Sequence, residues 1–449
     1  MIRKDIIKDV LKLALPAVGE MVLYMMIWVL DTMMVGKYGG ETAVSTVGLS
    51  SEIMYSFVNV FISVGISVGT VSLISRKLGS KDNTASEEFA TLGLAIGSIL
   101  AFIISSAAFI FAPKILFYSG ARDTVLSNGI IYMKITSIGL FFNMLMNVLN
   151  SVLRAGKNTK IPLLASGLIN IINLFLDWVL IFGRLGFPEL GIRGAAIATS
   201  MAHIVGFIFI TFYTLKKSLI KPHFKFIRNI NTYRAKELIK LSIPSSMQEG
   251  AFSMIRLLGT ILIMYLGKTA FAANQITTTI ESISFMPGNG VAIAATTLVG
   301  HKIGERDLHG AKEYAYTCTL IGTSIMLICS IAFLLFPKFL ISLFIKQNEL
   351  EVIGLGTLCL MIASIEQPFM AISMILGGAL KGMGDTKTPF MVSLISSWII
   401  RFPLLLIFIY KLNLSVIYVW WITAIQWSFE GIVIFVLFKS KFKKLMTPT

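Results

Sequence analysis

The chain has 449 residues, 55% hydrophobic and 14% charged, with a formal net charge of +16. A soluble domain carries about a quarter charged residues, so a mean hydropathy of +0.81 places most of this chain in a bilayer and leaves little length for a soluble catalytic domain. The three cysteines, Cys318, Cys329 and Cys359, lie in apolar runs without Cys-x-x-Cys spacing, which excludes a disulfide framework and a cysteine zinc site.

In chain order, residues 2–13 read as an amphipathic lead-in lying at the membrane interface, with no cleavable signal peptide. Twelve apolar runs follow, near 12–36, 44–75, 88–112, 126–153, 161–183, 192–215, 238–266, 271–300, 313–335, 352–380, 388–410 and 415–438. Each supplies the roughly 20 residues needed to cross about 30 Å of hydrocarbon. The expected class is therefore an all-α integral membrane protein, with twelve transmembrane helices in two six-helix, pseudo-symmetric lobes. Residues 1–215 form the N-terminal lobe, 216–237 a linker, and 238–449 the C-terminal lobe with a basic tail. The stretch Lys216–Lys240 holds eight of the 39 Lys and Arg. Basic loops mark the cytoplasmic side, which predicts a multi-pass plasma-membrane protein with both termini inside. Attraction of those loops to anionic lipid accounts for the charge without a nucleic-acid partner.

The two halves repeat each other. Pro16–Gly39 is echoed by Pro244–Gly267. Arg76-Lys77-Leu78-Gly79-Ser80-Lys81-Asp82 is matched by His301-Lys302-Ile303-Gly304-Glu305-Arg306-Asp307. Arg154-Ala155-Gly156-Lys157 through Pro162 is matched by Lys381-Gly382-Met383-Gly384 through Pro389. The offsets are 228, 225 and 227. With an even number of spans per half, the halves enter the membrane in the same direction, as parallel repeats do in secondary transporters.

Eight carboxylates fall inside the runs: Glu20, Asp31, Glu52, Asp177, Glu249, Glu281, Glu366 and Glu430. Each costs about 2.5–3.5 kcal/mol at a helix centre on insertion scales. At about 1.5 Å per residue, Asp31 lies roughly 28 Å along span one and Asp177 roughly 24 Å along span five, at a shared level. Asn170, Asn173 and Asp177 follow i, i+3, i+7 spacing on one face. Asp31, Asp177 and an asparagine amide would make an oxygen-rich site for a proton or Na⁺, or else a polar clasp between two spans. The repeat places Gly259 and Leu404 opposite the two aspartates, so the second half does not copy them. It offers Glu249, Glu281 and Glu366 instead, with Gln248 opposite Glu20 and the buried cations Arg256 and Arg401 as counter-ions. Glu20 shares a face with Asp31 and reads equally as a relay station or a packing group.

Leu15-Pro16 and Val29-Leu30-Asp31-Thr32-Met33-Met34-Val35-Gly36 resemble the first-span signature of multidrug and toxic compound extrusion (MATE) transporters. So do Asn173 to Asp177, Gly191 to Ala196, Phe285-Met286-Pro287-Gly288 and the repeated loops above. The resemblance covers nearly the whole chain in motif order. It implies two six-helix lobes in a V and export of small organic cations in exchange for H⁺ or Na⁺. It assigns ion coupling to Asp31, Asn173 and Asp177, and substrate binding to Glu249, Glu281 and Glu366. No cofactor is expected beyond the coupling ion, nor any partner beyond cargo and bilayer for a protein acting as a monomer. A major-facilitator carrier would need a Gly-x-x-x-Asp-Arg-x-Gly loop after span two, which is missing. A lipid-linked sugar flippase of the same superfamily would want an arginine-rich cavity, whereas these spans hold more acid than base. A membrane enzyme would need an Asp-Asp-x-x-Asp run or a histidine pair, and neither occurs.

Overall fold

The computed structural model describes residues 3–223, 225–345 and 349–446. Within them the chain is helical, with no strands. Eleven helices are long and apolar enough to cross a membrane: α1 (Lys4–Gly40), α2 (Thr42–Gly79), α3 (Asn83–Tyr118), α4 (Asp123–Ala155), α5 (Lys160–Ile181), α6 (Ile192–Lys217), α8 (Lys268–Gly304), α9 (Leu308–Leu335), α10 (Leu350–Gly382), α11 (Lys387–Lys411) and α12 (Ile417–Met446). Between α6 and α8 lies α7 (Thr232–Tyr265), the helix of the seventh predicted run. It carries Arg234, Lys236, Glu237, Lys240, Glu249 and Arg256, which dilute its apolar character below that of the other eleven.

The apolar pattern explains both faces of these helices. α3 exposes Ile99, Phe102, Ile103 and Ile110 along one side, a stripe that only lipid would cover without penalty. Its small residues Ala101, Ala108 and Ala112 turn inward against α4. Two helices depart from regular winding. α2 contains a π-helical stretch at Asn59–Ile66, and α11 contains two, at Ile395–Arg401 and Leu406–Lys411. Such bulges re-aim side chains and recur at functional sites.

The packing divides the chain into two compact units, Gly19–Ser246 and Met1–Val18 with Met247–Thr449. The lead-in therefore does not lie free at an interface. Ile6, Val10, Leu13 and Ala14 are buried in the second unit's core beside Val291, Ala294, Met370 and Trp427. Their amphipathic pattern reflects one protein-facing side.

The duplication is visible in local geometry. Lys81 and Arg306, 225 residues apart, both have φ of 61°. The next residues cap the following helices alike: Asp82 accepts from the Ala85 amide at 3.0 Å, and Asp307 from the Gly310 amide at 2.8 Å. Lys157 and Gly384, 227 apart, also share positive φ.

Candidate ion-coupling site

In the Gly19–Ser246 unit, α1, α5 and α6 bring the predicted aspartates together. Asp31 is 7% exposed and Asp177 1%, and their carboxyl groups interact directly, with the Asn173 amide beside both. Thr199 on α6 completes the cluster. Its hydroxyl lies 3.2 Å from Asp31 Oδ2 and 2.9 Å from the Ala195 carbonyl, and it accepts from Asn173 Nδ2 at 3.4 Å. One hydroxyl proton cannot fully serve both acceptors. Asp31 Oδ1 and both Asp177 oxygens make no well-formed hydrogen bond. Among the described residues, neither aspartate forms an ion pair with Lys or Arg. Two buried carboxyl groups in contact, with no Lys or Arg paired to them among the described residues, need a proton or a cation between them to avoid like-charge repulsion. Tyr132 on α4 stands near this pair, held by Ser51 at 3.1 Å.

Asn170 sits lower on the same face of α5. Its amide donates to the Leu23 carbonyl of α1 at 3.0 Å and to the Ser166 carbonyl at 2.8 Å. It ties α5 to α1 below the carboxyl pair, while its Oδ1 is buried without a donor. Close packing of α4 on α6 depends on Gly139, where a Cβ would come within 2.6 Å of the Ser200 Cα. One turn further on each helix, Asn143 Nδ2 and His203 Nε2 lie 3.3 Å apart. About three turns before Asp31 on α1, Glu20 accepts from Arg154 Nη2 at 2.5 Å, and both side chains are buried. Glu20 is thus a paired group, an outcome invisible in its spacing from Asp31.

The second unit contains a different pair. Glu281 of α8 and Glu366 of α10 face each other, Glu366 fully buried and Glu281 half-buried, with the Gln367 amide beside Glu281. Arg401, at the end of the first π stretch of α11, attracts both carboxylates and donates from Nη1 to Gln426 Oε1 at 3.1 Å. This pair has a guanidinium built into it. Glu430 accepts from Ser373 at 3.0 Å and from Ser396 at 2.7 Å. That arrangement rests on close approach of α12 to α10, where a Cβ on Gly431 would meet the Phe369 carbonyl at 2.5 Å.

The other predicted residues are dispersed. Glu249 is half-buried and interacts with Lys381 of α10. Gln248 is half-buried with a buried, unpartnered Oε1. Arg256 is exposed, so it is not the buried counter-ion expected from the sequence; Lys381 stands by Glu249 instead. Glu52 is exposed as well.

An internally duplicated helical bundle of membrane-crossing length, with a buried acidic pair in each unit, defines a multi-pass carrier. The MatE family model matches residues 16–179 and 244–407, once in each half. The chain belongs to that family, whose members are transporters and not enzymes. Among relatives, it is 29% identical to the probable multidrug resistance protein NorM of Thermotoga maritima, over 98% of this chain and 92% of that one. It is 26% identical to the uncharacterized transporter YisQ of Bacillus subtilis, over 90% and 88%. Among solved structures, it resembles an outward-facing multidrug resistance MATE family transporter of the MOP superfamily, with TM-score 0.90 and 21% identity over 100% of both chains. A MOP superfamily transporter from Pyrococcus furiosus, whose binding pocket of reverse polarity suggests a different function, has the same TM-score, identity and coverage.

Proposed function

We propose that this protein is a secondary antiporter that exports small organic cations in exchange for inward H⁺. The observation that carries the reading is the Asp31–Asp177 pair, two touching carboxyl groups without a resident counter-charge. A shared proton fits their direct contact, whereas Na⁺ wants a shell of several oxygens around it. The names of the relatives, multidrug resistance proteins, support drug-like cargo. Asn173 and Thr199 orient the pair, and Asn170 braces α1 against α5 beneath it. On this reading Glu249, Glu281, Glu366 and Gln248 meet the cargo, while Glu20 holds a fixed ion pair with Arg154 and Arg401 stands near the two glutamates, bonded to Gln426. The lobes would be 1–215 and 238–449, joined by the 216–237 linker. The protein would act as a monomer in the bacterial inner membrane, with both termini in the cytoplasm. Coupling requires proton and cargo to favour different conformations. The test is efflux of a fluorescent organic cation from proteoliposomes under a pure pH gradient, then under a pure Na⁺ gradient. Efflux driven by pH alone supports H⁺ exchange, efflux driven by Na⁺ alone replaces the proton with Na⁺, and no response to either defeats the antiport reading.

A further inference from the structure

The Gly19–Ser246 unit carries a line of buried polar groups that the acidic pair does not use. On α4, Asn143, Asn147, Asn150 and Arg154 recur at i, i+4, i+7 and i+11, one face of the helix. On α1, Glu20, Tyr24 and Asp31 share a face by the same rule, with roughly 16 Å between the first and last at 1.5 Å per residue. The two faces are tied at both levels, by Arg154 to Glu20 and by Asn143 to the Tyr24 hydroxyl. Asn147 Nδ2 donates to Asn143 Oδ1 at 2.7 Å. His203 joins Asn143 from α6, one turn from Thr199, which touches Asp31. The line thus runs from the acidic pair through Thr199, His203, Asn143, Tyr24, Asn147 and Asn150 to the Arg154–Glu20 ion pair.

Leucines at these positions would be cheaper. Asn150 Oδ1, Glu20 Oε2 and Arg154 Nε are buried with no hydrogen-bond partner, and a buried polar group without a partner destabilises the fold. The titratable and charged groups facing the line are Glu20, Tyr24 and Asp31 from α1, Tyr55 from α2 with its ring centroid 6.0 Å from that of Tyr24, Tyr132 and Arg154 from α4, Asp177 from α5, and His203 from α6. Arg154 is the one group among them that holds its positive charge at any physiological pH.

We propose that this seam is a proton path leading away from the Asp31–Asp177 pair, and that the Arg154 guanidinium is the plug that closes it. The inference rests on the reading of that pair as a proton site. A fixed positive charge at a narrow point repels a travelling proton, as arginines do in pores that exclude H⁺. Glu20 holds the guanidinium across the seam and offsets its burial. Protons enter and leave the seam unchanged in number; the tyrosine hydroxyl and imidazole pass them, and water held by the asparagine amides bridges the gaps. Plugged, the seam keeps a bound proton from slipping through without cargo, so Arg154 sets the tightness of coupling.

The test uses the full-length protein in proteoliposomes loaded with a pH-sensitive dye, with a pH gradient and no cargo. Wild type should be as tight as empty vesicles, and Arg154→Lys and Glu20→Gln, which keep the positive charge, should also be tight. Arg154→Gln should leak H⁺ by at least roughly tenfold over wild type, the effect of lowering a barrier by about 1.4 kcal/mol. Adding Asn147→Leu to Arg154→Gln should abolish that leak. Arg154→His gives a second route if the glutamine variant does not fold. Its leak should be absent at low pH, where the imidazole is charged, and present at high pH. A folded Arg154→Gln protein as tight as wild type, a leak indifferent to Asn147→Leu, or an Arg154→His protein whose leak ignores pH would each overturn the proposal. Failure of antiport itself would show separately, in cargo efflux that does not respond to a pH gradient.

Discussion

The two acidic pairs use the same residue chemistry to opposite ends. Asp31 and Asp177 meet without a counter-charge, while Glu281 and Glu366 share Arg401. The first pair must take its positive charge from outside, and so can respond to an ion gradient. The second has one nearby guanidinium for two carboxyl groups, which offsets part of their burial from within the protein. The repeat makes the contrast sharper, because Gly259 and Leu404 stand in the second half where the first has Asp31 and Asp177.

The comparison can be broken most directly at Asp31. Asp31→Asn is expected to abolish drug resistance conferred on a sensitive host while leaving the amount of protein in the membrane unchanged; full resistance in the variant would remove the pair from coupling. Arg401→Gln should act on stability instead. It removes the nearby positive charge from two buried carboxyl groups and the donor to Gln426, so the melting temperature in detergent should fall. Adding Glu366→Gln should restore part of the loss. Asp177→Asn, by contrast, leaves no orphaned counter-ion and should not lower the melting temperature. If Asp177→Asn and Arg401→Gln destabilise equally, the two pairs are not different in kind. Glu430→Gln is expected to cost less, about 1–3 kcal/mol, since Ser373 and Ser396 can still find an acceptor.

The smallest effect lies outside the membrane, at Asp385. Burial raises its pKa, but bonds from Lys441, the Thr388 hydroxyl at 2.6 Å and the Thr388 amide at 3.0 Å outweigh this and leave it below the usual value. A carboxylate with a lowered native pKa adds stability above its unfolded value, about 3.9, and gives it up as pH falls through the native one. Asp385→Asn should therefore cost under about 1 kcal/mol near neutral pH, and the difference should begin to shrink near about pH 4 and vanish once the pH falls below the lowered native pKa. A difference that grew in acid would contradict the assignment.

Helical spacing exposed whatever lies on one helix or recurs between halves. Asp31, Asn173 and Asp177 could be placed at one depth from residue numbers alone, and the matched loops announced the duplication that the Asp82 and Asp307 caps display. Partners on other helices were out of reach, because periodicity defines a face and not what opposes it. Hence Arg154 for Glu20, Lys381 for Glu249 and the two serines for Glu430 emerged only in three dimensions. Thr199 had only one clue, its one-turn spacing from His203. Glu52 and Arg256 show the converse limit: an apolar neighbourhood in sequence does not say whether a charge turns inward. The π stretches in α11, which set the aim of Ser396 and Arg401, leave no mark in composition.

The burial of the first helical turns has a consequence for biosynthesis. Asp9 accepts from Tyr314 at 2.8 Å, a separation of 305 residues, and Gly290 packs so tightly on Val18 that a Cβ would meet its backbone at 2.7 Å. Residues ahead of the Gly19–Ser246 unit therefore complete the core of a unit whose remainder is translated only after it. Contacts so distant along the chain form slowly, since a long loop must close first. Until that later stretch has been made, the apolar strip stays uncovered, and replacing Ile6, Val10 and Leu13 by polar residues should cripple the unit built from Met247 onward.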